Sequence, residues 1–258
     1  MIKVRKQQFG GLDVIVLGGD DGLGGGQGPL CVLLHGFGAS GTDLVPLGRM
    51  LGGPKGLRFA FPAAPLSLGD DFGAGSAFGM VDSRAWWMID IERFQRRLLG
   101  GRVDDLVQEE PAGLAEARQQ LHAALLALKR ELGVPTGQLV LGGFSQGAML
   151  SLDVALRTEL PLLGVILWSG SLIAAPQWQK AMPARRGLSV LQSHGRQDPL
   201  LPYGIAMMLR TQLQAAGLSV DWHEFTGGHE IPLPVLQATS AFLDAVTAAQ
   251  PGPRAAGA

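Results

Sequence analysis

Short, continuously apolar runs recur along this chain, and a longer segment that mixes apolar and polar residues separates each run from the next. Residues 30–34, Leu-Cys-Val-Leu-Leu, are typical of a strand that is buried on both faces of a sheet. Near the beginning, residues 3–9 and 12–17 predict a hairpin that turns at two glycines. Further strands are predicted at residues 57–61, 138–141, 163–168, 188–192 and 218–225.

Segments of helical composition lie between these strands. The longest, residues 112–132, is rich in Ala, Leu, Gln and Glu and is followed by Gly133 and Pro135, which end helices. Because strands that alternate with helices form sheets covered on both faces, the sequence predicts an α/β fold with a mostly parallel central sheet flanked by helices on both faces. Other helices are predicted at residues 42–51, 148–157, 203–216 and 232–249.

Residues 66–111 interrupt this alternation. They contain glycine-rich loops, the adjacent Trp86 and Trp87, and one short predicted helix at residues 89–99. A long irregular insertion in a compact domain is usually functional or disordered, and the aromatic content favours a function near the active site. We therefore expect one domain at residues 1–249, with this insertion over the site, and a flexible tail at residues 250–258.

Composition removes several classes of protein. The formal net charge is -1, so no electrostatic argument favours a nucleic-acid partner. The single cysteine, Cys31, excludes an internal disulfide and a cysteine-rich zinc site, and its apolar neighbours favour a core position. The amino-terminal positive charges have no apolar stretch behind them, and the longest apolar runs are too short to span a bilayer. A cytoplasmic location without integral membrane association is therefore predicted.

Residues 143–147, Gly-Phe-Ser-Gln-Gly, match the pattern G-x-S-x-G, which occurs once in the chain. Small residues on either side of Ser145 allow a strained turn between a strand and a helix, which exposes the serine hydroxyl at the edge of the sheet. The match lies between a predicted strand and a predicted helix, as the motif requires. Ser145 is therefore the predicted nucleophile, and the backbone N–H of Gln146 is predicted to bind an oxyanion.

A serine nucleophile needs a base, and the base needs an acid that orients it. In α/β-hydrolases the chain order is Ser, then Asp or Glu, then His. His229 lies in a glycine-rich loop after the last strand and is the predicted base, whereas His223 lies within that strand and is predicted to be structural. Asp198 follows the strand at residues 188–192, at the sheet edge where catalytic groups gather, and is the predicted acid. His194 is predicted to shape the turn that carries Asp198.

Residues 34–38, Leu-His-Gly-Phe-Gly, follow the first buried strand, and the backbone N–H of Phe37 is the second predicted oxyanion donor. A competing interpretation is an NAD-binding oxidoreductase, because residues 36–41 match G-x-G-x-x-G after a strand. That fingerprint also requires an acidic residue at the end of the next strand, and residues 58–62 contain none. A serine hydrolase is favoured over this class, and also over a hydrolase-like protein that only binds ligands, because all three triad groups are present.

Together these motifs resemble the phospholipase/carboxylesterase family, which includes bacterial carboxylesterases and the acyl-protein thioesterases, also called lysophospholipases. The matching phrases are residues 34–38, 142–149, 194–202 and 228–230, in the family's order and spacing over nearly the whole chain. The resemblance implies the α/β-hydrolase fold, Ser145, Asp198 and His229 as the triad, an oxyanion hole made by the N–H groups of Phe37 and Gln146, and no cofactor or metal. We expect a carboxylesterase of small or medium-chain esters, with lysophospholipase or acyl-protein thioesterase activity as the alternative.

The insertion departs from the family pattern. It is longer than in the acyl-protein thioesterases and carries Arg-Ala-Trp-Trp-Met-Ile-Asp at residues 84–90, where those enzymes have a shorter Trp-Phe-Asp phrase. Trp86, Trp87 and Met88 are predicted to wall an apolar acyl pocket, with the loops around Phe72 and Phe78 as part of its cover. Because side chains alternate along an extended segment, one tryptophan is expected to face the substrate, with Trp86 favoured, and the other to anchor the segment.

Overall fold

Ten strands are assigned in the part of the chain that the computed structural model describes, which is residues 4–69, 82–90, 92–93, 96–97, 100 and 103–248. They are β1 (Arg5–Phe9), β2 (Leu12–Gly18), β3 (Leu30–Leu34), β4 (Arg58–Pro62), β5 (Leu66–Ser67), β6 (Arg84–Ala85), β7 (Leu139–Phe144), β8 (Gly164–Trp168), β9 (Ser189–Gly195) and β10 (Ser219–Phe225). β5 pairs with β6, and the other eight strands form one sheet in the order β1-β2-β4-β3-β7-β8-β9-β10. In this sheet the pairings β1–β2 and β2–β4 at one edge are antiparallel, and the five pairings that join β4, β3, β7, β8, β9 and β10 in that order are parallel, which confirms the predicted sheet.

Helices cover both faces of this sheet. They are α1 (Leu47–Met50), α2 (Val103–Gln108), α3 (Leu114–Glu131), α4 (Gln146–Arg157), α5 (Ala175–Ala181), α6 (Tyr203–Ala215) and α7 (Leu233–Ala248), with a 3₁₀ helix at Met182–Arg185. Alternate residues of β7 pack into different cores: Leu139 and Leu141 lie in the cluster that includes α3 and α4, and Val140 lies in the cluster that includes α7. The continuously apolar runs of the sequence are therefore strands with a core on each side.

Helix α1 corrects the prediction of a helix at residues 42–51, which is wrong for its first five residues. Residues 41–46 form consecutive turns, in which N–H groups bond to carbonyl groups three residues earlier. Pro46 explains the difference, because it has no N–H to donate to the carbonyl of Thr42, and its ring would clash with that carbonyl in an α-helix. Helix α5 is absent from the sequence prediction.

Several sequence predictions fall on residues that the structure describes only in part. Of the helix predicted at residues 89–99, residues 92–93 and 96–97 are helical, and the others beyond residue 90 lie outside the described residues. Phe72, Phe78 and the tail at residues 250–258 also lie outside them, so their predicted roles stay predictions. Within the described ranges, no helix combines the length and the apolar character that crossing a bilayer requires.

A buried ion cluster joins the helices on one face of the sheet to the end of the insertion. Asp153 of α4 has no exposed side-chain surface, and it accepts hydrogen bonds from Arg118 of α3 and from the indole of Trp178 of α5, each at 2.8 Å. Arg157 lies 3.4 Å from the same carboxylate and 2.7 Å from Glu110, which ends the insertion. Because an unpaired buried charge is unfavourable, the Asp153 carboxylate stabilises the two guanidinium groups around it.

Replacing Asp153 with Ala should lower the free energy of unfolding by about 3 kcal/mol, because it leaves both arginines short of a counter-charge and the indole without an acceptor. Glu110 remains beside Arg157, which keeps the loss near the lower end of the range for broken buried pairs. Urea denaturation measures the change. Asp244→Ala, on the exposed side of α7, is the matched control and should alter stability by less than about 0.5 kcal/mol. Equal stability of the two variants would contradict the role of the cluster.

Candidate active site

Ser145 occupies the tight turn between β7, which ends at Phe144, and α4, which begins at Gln146. Its backbone has φ 55° and ψ -117°, a conformation that residues with a side chain rarely adopt. The Ser145 N–H bonds to the carbonyl of Trp168 at 2.9 Å, and its carbonyl accepts the N–H of Met149 at 3.1 Å, so neighbouring elements hold both sides of the turn. This is the backbone geometry of a nucleophile elbow.

Two glycines make this turn possible, because the end of β3 packs directly against it. A Cβ atom at Gly143 or at Gly147 would overlap the carbonyl oxygen of Leu34. No side chain fits at either position without moving β3 away from the turn. The spacing in G-x-S-x-G is therefore a packing requirement between β3 and the start of α4.

The side chains of Asp198 and His229, in the loops that follow β9 and β10, are hydrogen-bonded to each other. His229 Nδ1 lies 2.7 Å from Asp198 Oδ2, and the other carboxylate oxygen accepts the N–H groups of Leu200 at 2.8 Å and Leu201 at 2.9 Å. Burial raises the pKa of Asp198, but the bonds from His229 and the two N–H groups outweigh it and hold this pKa below its ordinary value. Asp198 is therefore an anion, and it orients His229 with the proton on Nδ1.

The two loops are also joined through their backbones. The N–H of Arg196 bonds to the carbonyl of Phe225 at 2.9 Å, and the N–H of Gln197 bonds to the carbonyl of Gly227 at 3.0 Å. These bonds extend the parallel pairing of β9 and β10 beyond the strand ends. The carboxylate and the imidazole are consequently held as one unit.

This unit lies beside the elbow. The ring of His229 packs against the ring of Phe144, with centroids 4.7 Å apart, and Phe144 immediately precedes Ser145. The His229 side chain is 13% exposed, whereas the Asp198 side chain is fully buried. The structure therefore brings the three residues of the predicted triad to one region at the carboxyl edge of the sheet.

Two other histidines have structural surroundings. His194 Nε2 lies 2.8 Å from the carbonyl oxygen of Leu201 and 3.4 Å from Asp198 Oδ2, and burial lowers the pKa of His194. It therefore supports the turn that carries Asp198 as a neutral ring. His223 lies 2.9 Å from Asp221 on β10, away from the elbow.

The turn after β3 is held by His35, whose side chain is almost completely buried. His35 Nε2 accepts the N–H of Ala64 at 3.0 Å, so Nδ1 carries the proton and donates to the carbonyl of Gly36 at 2.9 Å. Burial lowers the pKa of His35 from 6.5 to about 4. His35 is therefore neutral near pH 7 and shapes the turn.

The same turn passes next to Ser145. A Cβ atom at Gly36 would lie 3.3 Å from Cβ of Ser145. Among the residues that the structure describes, neither the N–H of Phe37 nor the N–H of Gln146 has a hydrogen-bond acceptor. Gln146 is the first residue of α4, where the helix itself leaves the N–H groups unused. Both predicted oxyanion donors therefore lie in backbone next to Ser145 with their N–H groups available.

The dinucleotide interpretation of residues 36–41 does not fit the structure. A dinucleotide turn presents free N–H groups at the start of a helix to bind the pyrophosphate. Here the next helix begins only at Leu47, and the N–H groups of Gly38 and Ala39 bond to the carbonyls of Arg84 and Gly36. Across the described ranges, no group of three or more His, Cys, Asp or Glu residues has the arrangement of a metal site.

Trp86 and Trp87 both lie in the core, with 2% and 3% of their surface exposed. The chain bends at these two residues instead of running extended, so the alternation of side chains expected of an extended segment does not apply to them. Met88, the third predicted wall residue, is 50% exposed. Of the three, Met88 alone presents a substantial apolar surface to solvent.

Two contributors to the site are not found from the sequence. In the sequence analysis His35 is only part of a turn motif, and no role is predicted for Arg84. In the structure the backbone of Arg84 bonds to Gly38 and Ala39. This backbone pairing depends on where the insertion lies in the folded chain, and the residue types at these positions do not predict it. The histidine before Gly36 is the one visible sign of a specialised turn.

A parallel sheet with a serine elbow after a central strand, and with an aspartate and a histidine in later loops, defines an α/β-hydrolase. A family model described as Phospholipase/Carboxylesterase matches residues 99–247, more than half of the chain. The chain belongs to this family, which confirms the resemblance seen in its motifs, and it is an enzyme of the serine-hydrolase class.

Several known proteins are similar to it. Acyl-protein thioesterase 1 of Gibberella zeae is 30% identical over 154 residues, which cover 58% of this chain and 66% of that protein. Acyl-protein thioesterase 1 of Schizosaccharomyces pombe is 28% identical over 172 residues, 66% of this chain and 69% of that protein. The crystal structure of esterase PE8 has a TM-score of 0.71 and 28% identity, covering 94% of this chain and 98% of its own. A carboxylesterase from Mesorhizobium loti, with a TM-score of 0.71 and 17% identity, shares the fold.

The stability of the protein should depend on pH through His35. Between pH 6.5 and about 4, the unfolded chain protonates this side chain and the folded chain does not, so stability should fall as the pH falls through that window. The shift corresponds to a contribution of about 3 kcal/mol. In His35→Gln, whose amide oxygen can accept the Ala64 N–H, the loss of unfolding free energy between pH 7 and pH 4 should shrink by about that amount. Urea denaturation measures the unfolding free energy of both proteins as a function of pH. Parallel curves would contradict the prediction, because they would show that His35 is protonated as readily in the folded chain as in the unfolded chain.

Proposed function

We propose that this protein is a carboxylesterase in which Ser145 is the nucleophile, His229 the general base and Asp198 the acid that orients the base. The observation that carries the proposal is the hydrogen bond from His229 Nδ1 to the buried Asp198 carboxylate, in a pair that packs beside the elbow of Ser145. An aspartate in this position selects the imidazole tautomer whose Nε2 is free to accept a proton. The strained backbone of Ser145 further supports a nucleophile, because such strain concentrates at functional sites.

The proposed reaction is a two-step acyl transfer. Ser145 Oγ attacks the ester carbonyl while His229 Nε2 takes its proton, and the negative charge on the carbonyl oxygen is stabilised by the N–H groups of Phe37 and Gln146. The protonated His229 then gives its proton to the leaving alcohol, which produces an acyl-enzyme. Water, deprotonated by His229, then attacks the acyl carbonyl. The bond to Ser145 Oγ breaks as His229 returns the proton to that oxygen, which releases the carboxylic acid and restores Ser145.

For the substrate we propose a small or medium-chain carboxylic ester. Trp86 and Trp87 are packed in the core, which leaves Met88 as the apolar side chain of this segment that is exposed for contact with an acyl chain. Contact with a single flexible methionine suits a short acyl group, because each buried methylene adds only about 0.8 kcal/mol and a small surface is soon covered.

A second candidate activity is acyl-protein thioesterase. It is supported by the relatives of that name in Gibberella zeae and Schizosaccharomyces pombe, although the match to the first spans 66% of that protein. An oxyanion hole and a serine triad serve oxygen esters and thioesters alike, so the distinction depends on the acyl group and the leaving group.

Replacing Ser145 with Ala should lower kcat for ester hydrolysis by about a millionfold, as in other serine hydrolases that lose the nucleophile. The measurement is turnover of p-nitrophenyl butyrate, with folding checked by circular dichroism. A fluorophosphonate probe should label the wild-type protein on Ser145 and leave the variant unlabelled.

Ser40→Ala is the matched control. Ser40 follows residues 35–38, the turn that carries Phe37 and is here named the oxyanion turn, and the Ser40 hydroxyl bonds to Thr42. This variant should keep wild-type turnover and labelling. Near-native activity in folded Ser145→Ala would eliminate the proposed nucleophile.

Chain length and leaving group should separate the two candidate activities. We expect kcat/KM for p-nitrophenyl esters to rise several-fold per methylene from acetyl to butyryl, as apolar surface is covered, and to fall at palmitoyl. The matching S-acyl thioesters should be hydrolysed no faster than the oxygen esters. A maximum at palmitoyl, together with faster hydrolysis of a palmitoyl thioester, would favour the thioesterase instead.

A further inference from the structure

The segment Arg84 to Trp87, here named the bridging segment, lies within the insertion and contacts both parts of the proposed oxyanion hole. It consists of β6 and the two buried tryptophans that follow it. On one side it contacts the turn that carries Phe37, and on the other it contacts the side chain of Gln146. It contributes no group to the proposed triad.

Three hydrogen bonds join the bridging segment to the oxyanion turn. The carbonyl of Arg84 accepts the N–H of Gly38 at 2.9 Å, and the N–H of Arg84 donates to the carbonyl of Ala39 at 3.0 Å. The indole Nε1–H of Trp86 donates to the carbonyl of His35 at 3.0 Å. These contacts hold the backbone before and after Phe37, whose own N–H is left without an acceptor among the described residues.

Two more hydrogen bonds join the bridging segment to Gln146. The carboxamide oxygen of Gln146 accepts the N–H of Trp86 at 3.0 Å, and its Nε2 donates to the carbonyl of Trp87 at 2.8 Å. The Gln146 side chain is completely buried, so water cannot replace either bond. The backbone N–H of the same residue is the second proposed oxyanion donor, so this side chain ties one donor to the segment that holds the other.

We propose that the bridging segment sets the distance between the two oxyanion donors, with Trp86 and the Gln146 side chain as its positioning residues. This inference rests on the proposed function, because it concerns the same site. The Phe37 turn follows β3 and the Gln146 N–H begins α4, and the bridging segment connects the two through buried hydrogen bonds. Preorganised donors stabilise charge that develops only in the transition state, so their spacing affects kcat more than substrate binding.

The test compares Trp86→Phe, which keeps an aromatic ring and removes the indole N–H, with Gln146→Met, which keeps the length of the side chain and removes both amide bonds. Each variant should lose about tenfold to a hundredfold in kcat for p-nitrophenyl butyrate, because a small misplacement of a donor has an effect of this size. KM should stay within about threefold, since ground-state binding is not affected. A trifluoromethyl ketone that mimics the tetrahedral intermediate should bind more weakly by the factor lost in kcat/KM.

Trp222→Phe is the matched control, because it removes an indole N–H that donates to Glu224 at 3.3 Å on β10, away from the elbow. It should leave kcat and KM at wild-type values. Active-site titration, applied to every variant, gives kcat per folded site, so a loss that comes only from unfolding disappears after this correction.

Gln146→Glu adds a second measurement, the pH dependence of kcat, which would not change if the Gln146 side chain served only for packing. A neutral Glu at this position keeps one acceptor and one donor, whereas the ionised form loses the bond to Trp87 and places a negative charge beside the oxyanion. The ratio of its kcat to the wild-type kcat should therefore fall as the pH rises.

Three results would overturn the proposal: wild-type kcat in both folded variants, a rise in KM at unchanged kcat, or a pH-independent ratio for Gln146→Glu. The Ser145→Ala variant separates this proposal from the proposed function. If that variant is inactive while Trp86→Phe and Gln146→Met keep the wild-type kcat, only the positioning role is wrong. If Ser145→Ala itself remains active, the assignment of the nucleophile is wrong.

Discussion

The close contact between the end of β3 and the start of α4 is the constraint on which the rest of the site depends. With glycine at 143 and 147, the carbonyl of Leu34 can lie directly against the elbow, and any side chain there would separate the two elements. This contact places the turn after β3 beside Ser145. The oxyanion turn, the bridging segment and the Gln146 carboxamide are all arranged around it.

The buried titratable groups Cys31, His35 and Asp198 each have one charge state near pH 7, whereas His229 remains in contact with solvent. Burial raises the pKa of the Cys31 thiol and lowers the pKa of the His35 ring, so both are neutral near pH 7. Asp198 is buried as well, but its three hydrogen-bond donors keep it an anion. His229 remains partly exposed next to this anion, as its proposed role of general base requires.

The strands and the elbow could be predicted because each depends on residues that are close together in the chain, and the triad prediction rests on three short phrases in the chain order Ser, Asp, His. An apolar run signals a doubly buried strand, and G-x-S-x-G signals the turn at Ser145. The positions of Trp86 and Trp87 could not be predicted, because the bend that buries both is stabilised by Gln146, about sixty residues away. The same holds for Asp153, whose partners lie on three different helices. The overlong helix at residues 42–51 has a local cause, since Pro46 sits inside the segment.

The backbone bonds between the loops after β9 and β10 have a consequence for how this active site can be altered. Since the N–H of Arg196 bonds to the carbonyl of Phe225 and that of Gln197 to the carbonyl of Gly227, the loop with Asp198 and the loop with His229 form a single unit. A change in the length of one loop would break its bonds to the other and turn His229 away from Asp198. Exchange of loops between related hydrolases therefore has to transfer both together. The turn after β3 is bonded to the bridging segment instead, so an exchange of that turn has to include Arg84 and Trp86.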